Sequence, residues 1–286
     1  MLSELYTNIN AQISKYSYHT AGHSVINKKS ALNQSFQKWY QSISQNALVR
    51  MYTLNYDRLF KVLAEQIGTP VFEGFECGEF VHQDYIAPNI ERILLDFDSW
   101  THYNLHGSAF WEVHARDEHR QLKNISISLR PHPMLEMNNS ESSVLQIDRG
   151  KNVLVSNIIT GYQKTQKSFI APFRQMQAAF DKDCMMADNL IVVGYSFGDF
   201  HINSSIVTAL RNNNKVRLHF IDPAYEERDG KKGYDLLVKR LIDSFPDVFH
   251  FERTQPVYSD DRNTCTYFDN KLTVSMIGFD QYLSKI

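Results

Sequence analysis

The chain has 286 residues, of which 43% are hydrophobic and 22% charged. This composition is ordinary for a globular protein with a sizeable core, and it excludes the collagen-like, coiled-coil and disordered classes. The 30 Lys and Arg residues are matched by 32 Asp and Glu residues, for a net charge of -2. General nucleic-acid binding needs a basic excess or patch, so the composition argues against it.

The first residues, MLSELYTNINAQ, lack the basic and apolar regions of a secretory signal, and no apolar run reaches the ~20 residues that span a bilayer. We therefore expect a cytoplasmic protein with no membrane partner. Cys77, Cys184 and Cys265 are widely separated and form no C-x-x-C pair. Neither a disulfide framework nor a zinc ribbon is expected, and no metal is predicted.

The N-terminal part of the chain has helical periodicity. Apolar residues from Leu2 to Ile13, and again from Leu32 to Ile43, recur at three- and four-residue steps and predict two helices. LVRMYT, at 48–53, predicts a strand. Asp57 can then cap a helix that ends before Gly68.

The middle of the chain contains two further strand patterns. THYNLHGS, at 101–108, predicts a short strand that opens into a polar turn. The stretch from Leu122 to Leu129 alternates apolar and polar residues, which predicts a half-exposed strand. We place this second strand in an insertion around residues 110–150.

The C-terminal half alternates helices and strands. A helix at 173–186 precedes NLIVVGYS, whose continuous apolar run predicts a strand buried on both faces. A helix capped by Asp199 and a strand at 216–221 follow. This β-α-β order predicts a mostly parallel, Rossmann-like sheet with helices on both faces. We divide the chain into a helical segment, 1–47, and an α/β domain, 48–286.

Three polar motifs follow predicted strands: Thr53–Asp57 (TLNYD), Leu105–Ser108 (LHGS) and Gly194–Asp199 (GYSFGD). Ligands of parallel α/β sheets bind outside the carboxyl ends of the strands, so we expect the motifs to line one cleft. Glycine and serine allow close approach to a phosphate or ribose, Asn and Asp can hold sugar hydroxyls or water, and His can accept a proton.

In this order, T-x-N-Y-D, L-H-G-S and GYSFGDFHIN (194–203) resemble the signatures of the sirtuin superfamily. The closest resemblance is to the prokaryotic sirtuin-like domain of antiphage defence proteins, and it covers roughly residues 48–223. The resemblance implies an NAD+ site in which Asn55 and Asp57 hold the nicotinamide ribose or a water, and His106 is the base. The residues implied to contact NAD+ are Thr53, Gly107, Ser108, Gly194, Tyr195, Ser196 and Asp222.

The family cleaves the nicotinamide–ribose bond of NAD+, either with protein deacylation or as plain hydrolysis to nicotinamide and ADP-ribose. The resemblance implies hydrolysis here, because this chain lacks the paired cysteines of the deacylase zinc module and has Leu54 where deacylases carry Gln. NAD+ is then a substrate, consumed in antiphage defence. The domains of this family work as homo-oligomers or within larger defence complexes.

The chain departs from the family in one respect: the first strand, with its glycine-rich G-A-G-x-S turn around the pyrophosphate, has no counterpart before Asn55. We expect that a longer chain or a partner supplies this turn, or that catalysis is lost and the protein is an NAD+- or ADP-ribose-binding scaffold.

Two readings compete with the NAD+ site. Asn55 and Asp57 can be an ordinary turn and helix cap. Gly194-x-Ser196-x-Gly198 also matches the nucleophile turn of serine hydrolases, with Asp222 and His250 as possible partners in the right order.

Overall fold

The structure is a computed structural model. It describes residues 4, 8–9, 11–13, 26, 30–77, 86–118, 121–133, 144–148, 151–154, 156–159, 170–223, 233–245, 247–250 and 254–285. The chain divides into two compact units, Met1–Ala179 and Phe180–Ile286. The division falls within a helix, and we treat each unit separately.

The first unit combines short helices with three small sheets. Its elements are α1 (Ala31–Ser44), β1 (Arg50–Thr53), α2 (Leu59–Glu65), β2 (Phe75–Cys77), β3 (Ile86–Pro88), α3 (Ile90–Leu95), β4 (Thr101–Asn104), β5 (Trp111–Glu118), β6 (Gln121–Leu129), β7 (Val144–Asp148) and β8 (Lys151–Leu154), followed by α4 (Phe173–Met186), which runs into the second unit. Strands β1 and β4 form a parallel pair, β2-β3-β6-β5 an antiparallel sheet, and β7-β8 a hairpin.

Apolar side chains hold the first unit together. Helix α1 buries Phe36 and Tyr40, and the Phe36 ring lies 4.9 Å from that of Phe60 on α2. Trp111 at the start of β5 packs against Phe75 and Phe173, with ring centroids 5.3 Å and 5.1 Å away. The helix predicted from Leu32 to Ile43 is confirmed, and so is the strand predicted from Leu122 to Leu129, which is β6.

The second unit is a five-stranded sheet with helices. Its remaining elements are β9 (Asn189–Val193), α5 (Phe200–Asn212), β10 (Arg217–Ile221), α6 (Gly233–Ser244), β11 (Val257–Tyr258), β12 (Thr264–Tyr267), β13 (Leu272–Ser275) and α7 (Phe279–Ser284). The strand order is β11-β12-β13-β10-β9, with β9, β10 and β13 parallel. Phe197, Phe220 and Phe245 pack together, with centroids 4.8 Å and 5.1 Å from Phe197.

The predicted mixture of helices and strands is confirmed. The described strands form four sheets, both parallel and antiparallel, rather than the single mostly parallel sheet that we expected. Strands β5 and β6, and likewise β7 and β8, are joined by short connections, which favour antiparallel pairing. No helix in the described part of the chain is long and apolar enough to cross a bilayer.

One prediction about β9 is wrong. Its apolar sequence suggested a strand buried on both faces, but β9 lies at the edge of its sheet. Ile191 is 40% exposed and Val193 is 38% exposed. An apolar strand sequence does not by itself determine whether the strand lies in the middle or at the edge of its sheet.

Strand β4 is buried along its whole length, and it carries a buried histidine. His102 is 1% exposed, and neither ring nitrogen has a hydrogen-bond partner among the described residues. The nearby charges are Glu73, Lys61 and Arg58; Glu73 pairs with Arg58, and its Oε1 lies 3.5 Å from Lys61 Nζ. Burial lowers the pKa of His102 from 6.5 to about 4, because the imidazolium would lose its hydration.

This depressed pKa predicts that the protein loses stability in mild acid. Between pH 6.5 and 4 the unfolded chain binds a proton at His102 that the folded chain does not, so the free energy of unfolding falls as the pH falls. From pH 7.5 to 5 we expect a loss of about 2 kcal/mol from this group. Denaturant titrations of wild type and His102→Phe measure it, and equal pH dependence in the two proteins would contradict the prediction.

Candidate functional site

Two of the three predicted motifs lie side by side in the first unit. The parallel register of β1 and β4 sets Thr53 opposite Asn104. Leu105 N continues the ladder beyond the strands and donates to Thr53 O over 2.9 Å. The TLNYD and LHGS segments therefore leave the sheet at the same end, as the rule for carboxyl ends of parallel strands predicts.

Hydrogen bonds join the two segments directly. Asn104 Nδ2 lies 2.9 Å from the carbonyl oxygens of both Asn55 and Asp57 and donates to each. The carbonyl of Tyr56, between them, accepts from Ser108 Oγ and from Ala109 N, each over 3.0 Å. Three consecutive carbonyls of the TLNYD segment are thus held by residues 104–109.

The side chains of Asn55 and Asp57 have different surroundings. Asn55 is exposed, and its N–H donates to Thr53 Oγ1 over 3.0 Å. The N-cap position of α2 is Arg58 rather than Asp57, but Asp57 Oδ1, one residue earlier, accepts from Leu59 N at the start of the helix over 2.9 Å. Burial raises the pKa of Asp57, and the backbone hydrogen bond to Leu59 opposes the shift.

His106 and Gly107 form a tight, buried turn. His106 is 4% exposed, and its carbonyl accepts from Ile159 N over 2.7 Å. Gly107 has φ +82, and an added Cβ would lie 2.2 Å from Asn157 O. Glycine is required at this position for the backbone conformation and for space, independently of any ligand.

Ser108 is also buried, and its hydroxyl already has a structural role. Besides donating to Tyr56 O, Ser108 Oγ accepts from Phe110 N over 3.2 Å. This hydroxyl therefore connects the LHGS turn to the TLNYD segment.

The third motif lies in the second unit and forms a compact turn between β9 and α5. The Tyr195 hydroxyl is 3.0 Å from Asp199 O and 2.9 Å from Asn203 Oδ1, and it accepts from Asp199 N over 3.2 Å. Asn203 Nδ2 donates to Phe197 O over 2.8 Å. Asp199 occupies the predicted N-cap position, and α5 begins with the next residue.

Gly194 and Asp222 lie at the carboxyl ends of β9 and β10, and Gly194 N donates to Ile221 O over 3.0 Å. Gly194 has φ +59, and no atom of the described residues would come within 4 Å of an added Cβ, so its backbone borders open space in this part of the structure. Asp222 is buried, and its Oδ1 has no hydrogen-bond partner in the described part of the chain. Burial raises the pKa of Asp222, and Arg240 opposes that shift.

The turn differs from the nucleophile turn of a serine hydrolase. In that turn the serine itself occupies the strained position between strand and helix. Here the strained residue is Phe197, with φ +61, whereas Ser196 is exposed and is not among the residues with positive φ.

Sequence reasoning missed Asn104, which the structure places at the centre of the first-unit site. An asparagine at the end of a predicted strand has no pattern that separates it from an ordinary turn residue. Among the described residues, no group of three or more His, Cys, Asp and Glu side chains lies close enough to hold a metal ion. The sequence matches no known family model, and no curated protein matches it either.

The geometry at Gly107 predicts a large effect of a single methyl group. Gly68 is a matched control, because it has φ +85 but none of the described residues lies within 4 Å of an added Cβ. Gly68→Ala should cost only the strain of the left-handed conformation, about 1–2 kcal/mol. Gly107→Ala should cost roughly 1–3 kcal/mol more, because the methyl group overlaps the backbone of Asn157. Unfolding free energies of the two variants test this, and equal losses would refute the packing role.

Proposed function

We propose that the chain is an NAD+ glycohydrolase with a sirtuin-like, Rossmann-like fold, which releases nicotinamide and ADP-ribose. The observation that carries the proposal is the junction of the two motifs in the first unit. The segment with Asn55 and Asp57 is hydrogen-bonded to the turn with His106 through Asn104 and Ser108. Two short motifs far apart in the sequence are thereby built into one structure, with Asn55 exposed beside it.

In the proposed reaction the bond between C1′ of the ribose and the nicotinamide nitrogen breaks, and the electron pair leaves with nicotinamide. The ribose becomes oxocarbenium-like, as in other glycoside cleavages. A water attacks C1′ and transfers its proton to the imidazole of His106. The amide of Asn55 orients the water or the ribose hydroxyls, so that attack occurs from a fixed position.

Two features of the second unit also favour the proposal of a nucleotide ligand. The buried Asp222 carboxylate has an Oδ1 without a described partner, and ribose hydroxyls are donors that suit such an acceptor. The open backbone at Gly194 suits close approach of a phosphate or sugar beside Ser196. The parallel strands β9, β10 and β13 are consistent with the Rossmann-like arrangement that the proposal includes.

The cellular role belongs to the same proposal. The motif resemblance implies that the protein depletes NAD+ in the cytoplasm as part of antiphage defence. It also implies that the protein assembles as a homo-oligomer or in a larger defence complex. The serine-hydrolase alternative is less well supported, because Phe197 rather than Ser196 has the strained backbone.

The proposal predicts separate effects on turnover and binding. With the glycine-rich turn supplied by a longer chain or a partner, His106→Ala should reduce nicotinamide release by ~10²- to 10⁴-fold, the usual loss for a general base, because proton removal is needed only towards the transition state. Asn55→Ala should also abolish cleavage. His106→Ala should keep the wild-type NAD+ affinity within a few-fold. His114→Ala is the control, because His114 is a partly exposed histidine on β5 outside the motifs.

Nicotinamide release and NAD+ binding are measured together on wild type and the three variants. A folded His106→Ala protein with full turnover would assign the base to another residue. A wild-type protein that binds NAD+ without turnover would be a binding scaffold, and one that neither binds nor cleaves NAD+ would refute both forms of the proposal. An esterase activity lost only in Ser196→Ala would favour the serine hydrolase.

A further inference from the structure

Asn104 makes an unusual pair of contacts for a strand residue. It is the last residue of β4, its side chain is 3% exposed, and its Nδ2 is 2.9 Å from both Asn55 O and Asp57 O. A side-chain amide has two N–H groups on one nitrogen, and both are used here. The side chain therefore joins two carbonyls that are two residues apart in the TLNYD segment.

These contacts decide the conformation of a segment that leaves its strand at Thr53 and enters α2 at Leu59. Between these residues no backbone ladder holds the chain, so its carbonyls need other donors. Asn104 donates to two of these carbonyls, those of Asn55 and Asp57. Ser108 and Ala109 both donate to the third, that of Tyr56. Asn55 is exposed, and the main chain to which its side chain is attached is held by these hydrogen bonds.

We propose that Asn104 is a positioning residue, which sets the geometry of the Asn55–Asp57 segment relative to His106. Its part in catalysis rests on the proposed NAD+ cleavage, but its hold on the segment does not. His106 is only two residues further along the chain, so one short stretch, 104–106, supplies both the base and the group that places its partner.

The chemistry at this position requires a neutral double donor. Aspartate has nearly the same shape, but it would set carboxylate oxygens against two carbonyl oxygens and leave the carbonyls unsatisfied. Serine has a single hydroxyl donor and can serve one carbonyl only. Asn104→Asp should therefore release the segment fully, and Asn104→Ser in part.

Asn213 in the second unit is a matched control. Its Nδ2 also donates to two carbonyls, those of Met185 and Ala187, over 3.0 Å and 2.9 Å. Asn213→Asp removes the same number and type of bonds from a place outside the three motifs. Asn213 is half-buried and Asn104 is buried, so this control reports the loss of the two bonds at a more exposed position.

The first measurement is native-state hydrogen exchange, which needs neither NAD+ nor activity. In Asn104→Asp we expect the amides of Asn55, Leu59 and Ala109 to exchange at least ~10-fold faster, because their partners lie in or beside the released segment. The amide of Gln66, at the far end of α2, should be unchanged. Asn213→Asp should leave all four amides at the wild-type rate.

The second measurement is steady-state NAD+ cleavage. A misplaced Asn55 should lower kcat by about 10- to 100-fold, the scale of a small misplacement of a reacting group, with KM within about threefold. Asn104→Ser should fall between wild type and Asn104→Asp, and Asn213→Asp should match wild type. A merely structural loss would instead reduce the amount of folded protein and leave kcat per folded molecule unchanged.

The outcomes separate the two proposals. A folded Asn104→Asp protein with wild-type exchange at Asn55, Leu59 and Ala109 would overturn the positioning role. So would equal exchange in the two aspartate variants, or wild-type kcat in an active Asn104→Asp enzyme. If Asn104→Asp does not fold, Asn104→Ser decides by the same criteria. If wild type cleaves no NAD+, the proposed function fails while the exchange data still decide the hold on the segment.

Discussion

The first unit depends on one constraint: the carbonyls of residues 55–57 lie beyond the paired part of β1 and β4, so they need hydrogen-bond donors from outside the ladder. Buried polar groups that lack partners cost stability, so the donors have to be supplied by the neighbouring chain. Asn104, Ser108 and Ala109 supply them, and all three lie at or just beyond the end of β4. The parallel pairing of two short strands therefore determines where both motifs are found.

This constraint also explains why residues of the LHGS turn have structural roles. Gly107 is required by its positive φ and by the backbone oxygen 2.2 Å from the position of a Cβ. The Ser108 hydroxyl donates one hydrogen bond and accepts another within the unit. Some residues of a motif can thus be required because they hold the turn in shape, and not because they contact a ligand. Asn55 is the exposed residue of the two motifs.

Many of the helices and strands could be predicted from the sequence, because periodicity and turn residues are local signals. The helix through Phe36 and Tyr40, the strands that precede the three motifs, and the start of α5 after Asp199 all follow from such signals. The role of Asn104 could not be predicted, since it depends on two carbonyls about fifty residues earlier in the chain. The division of the strands among four sheets is equally non-local.

The edge position of β9 has a consequence for how the sheet could grow. Asp188 O accepts from Arg217 N, and Gly194 N donates to Ile221 O, so residues 188, 190, 192 and 194 direct their peptide groups towards β10. Asn189, Ile191 and Val193 direct theirs outwards, where no described strand pairs with them. The strand contains no Lys or Pro, the residues that commonly protect an edge. A further parallel strand added here would end beside Gly194, at the start of the third motif.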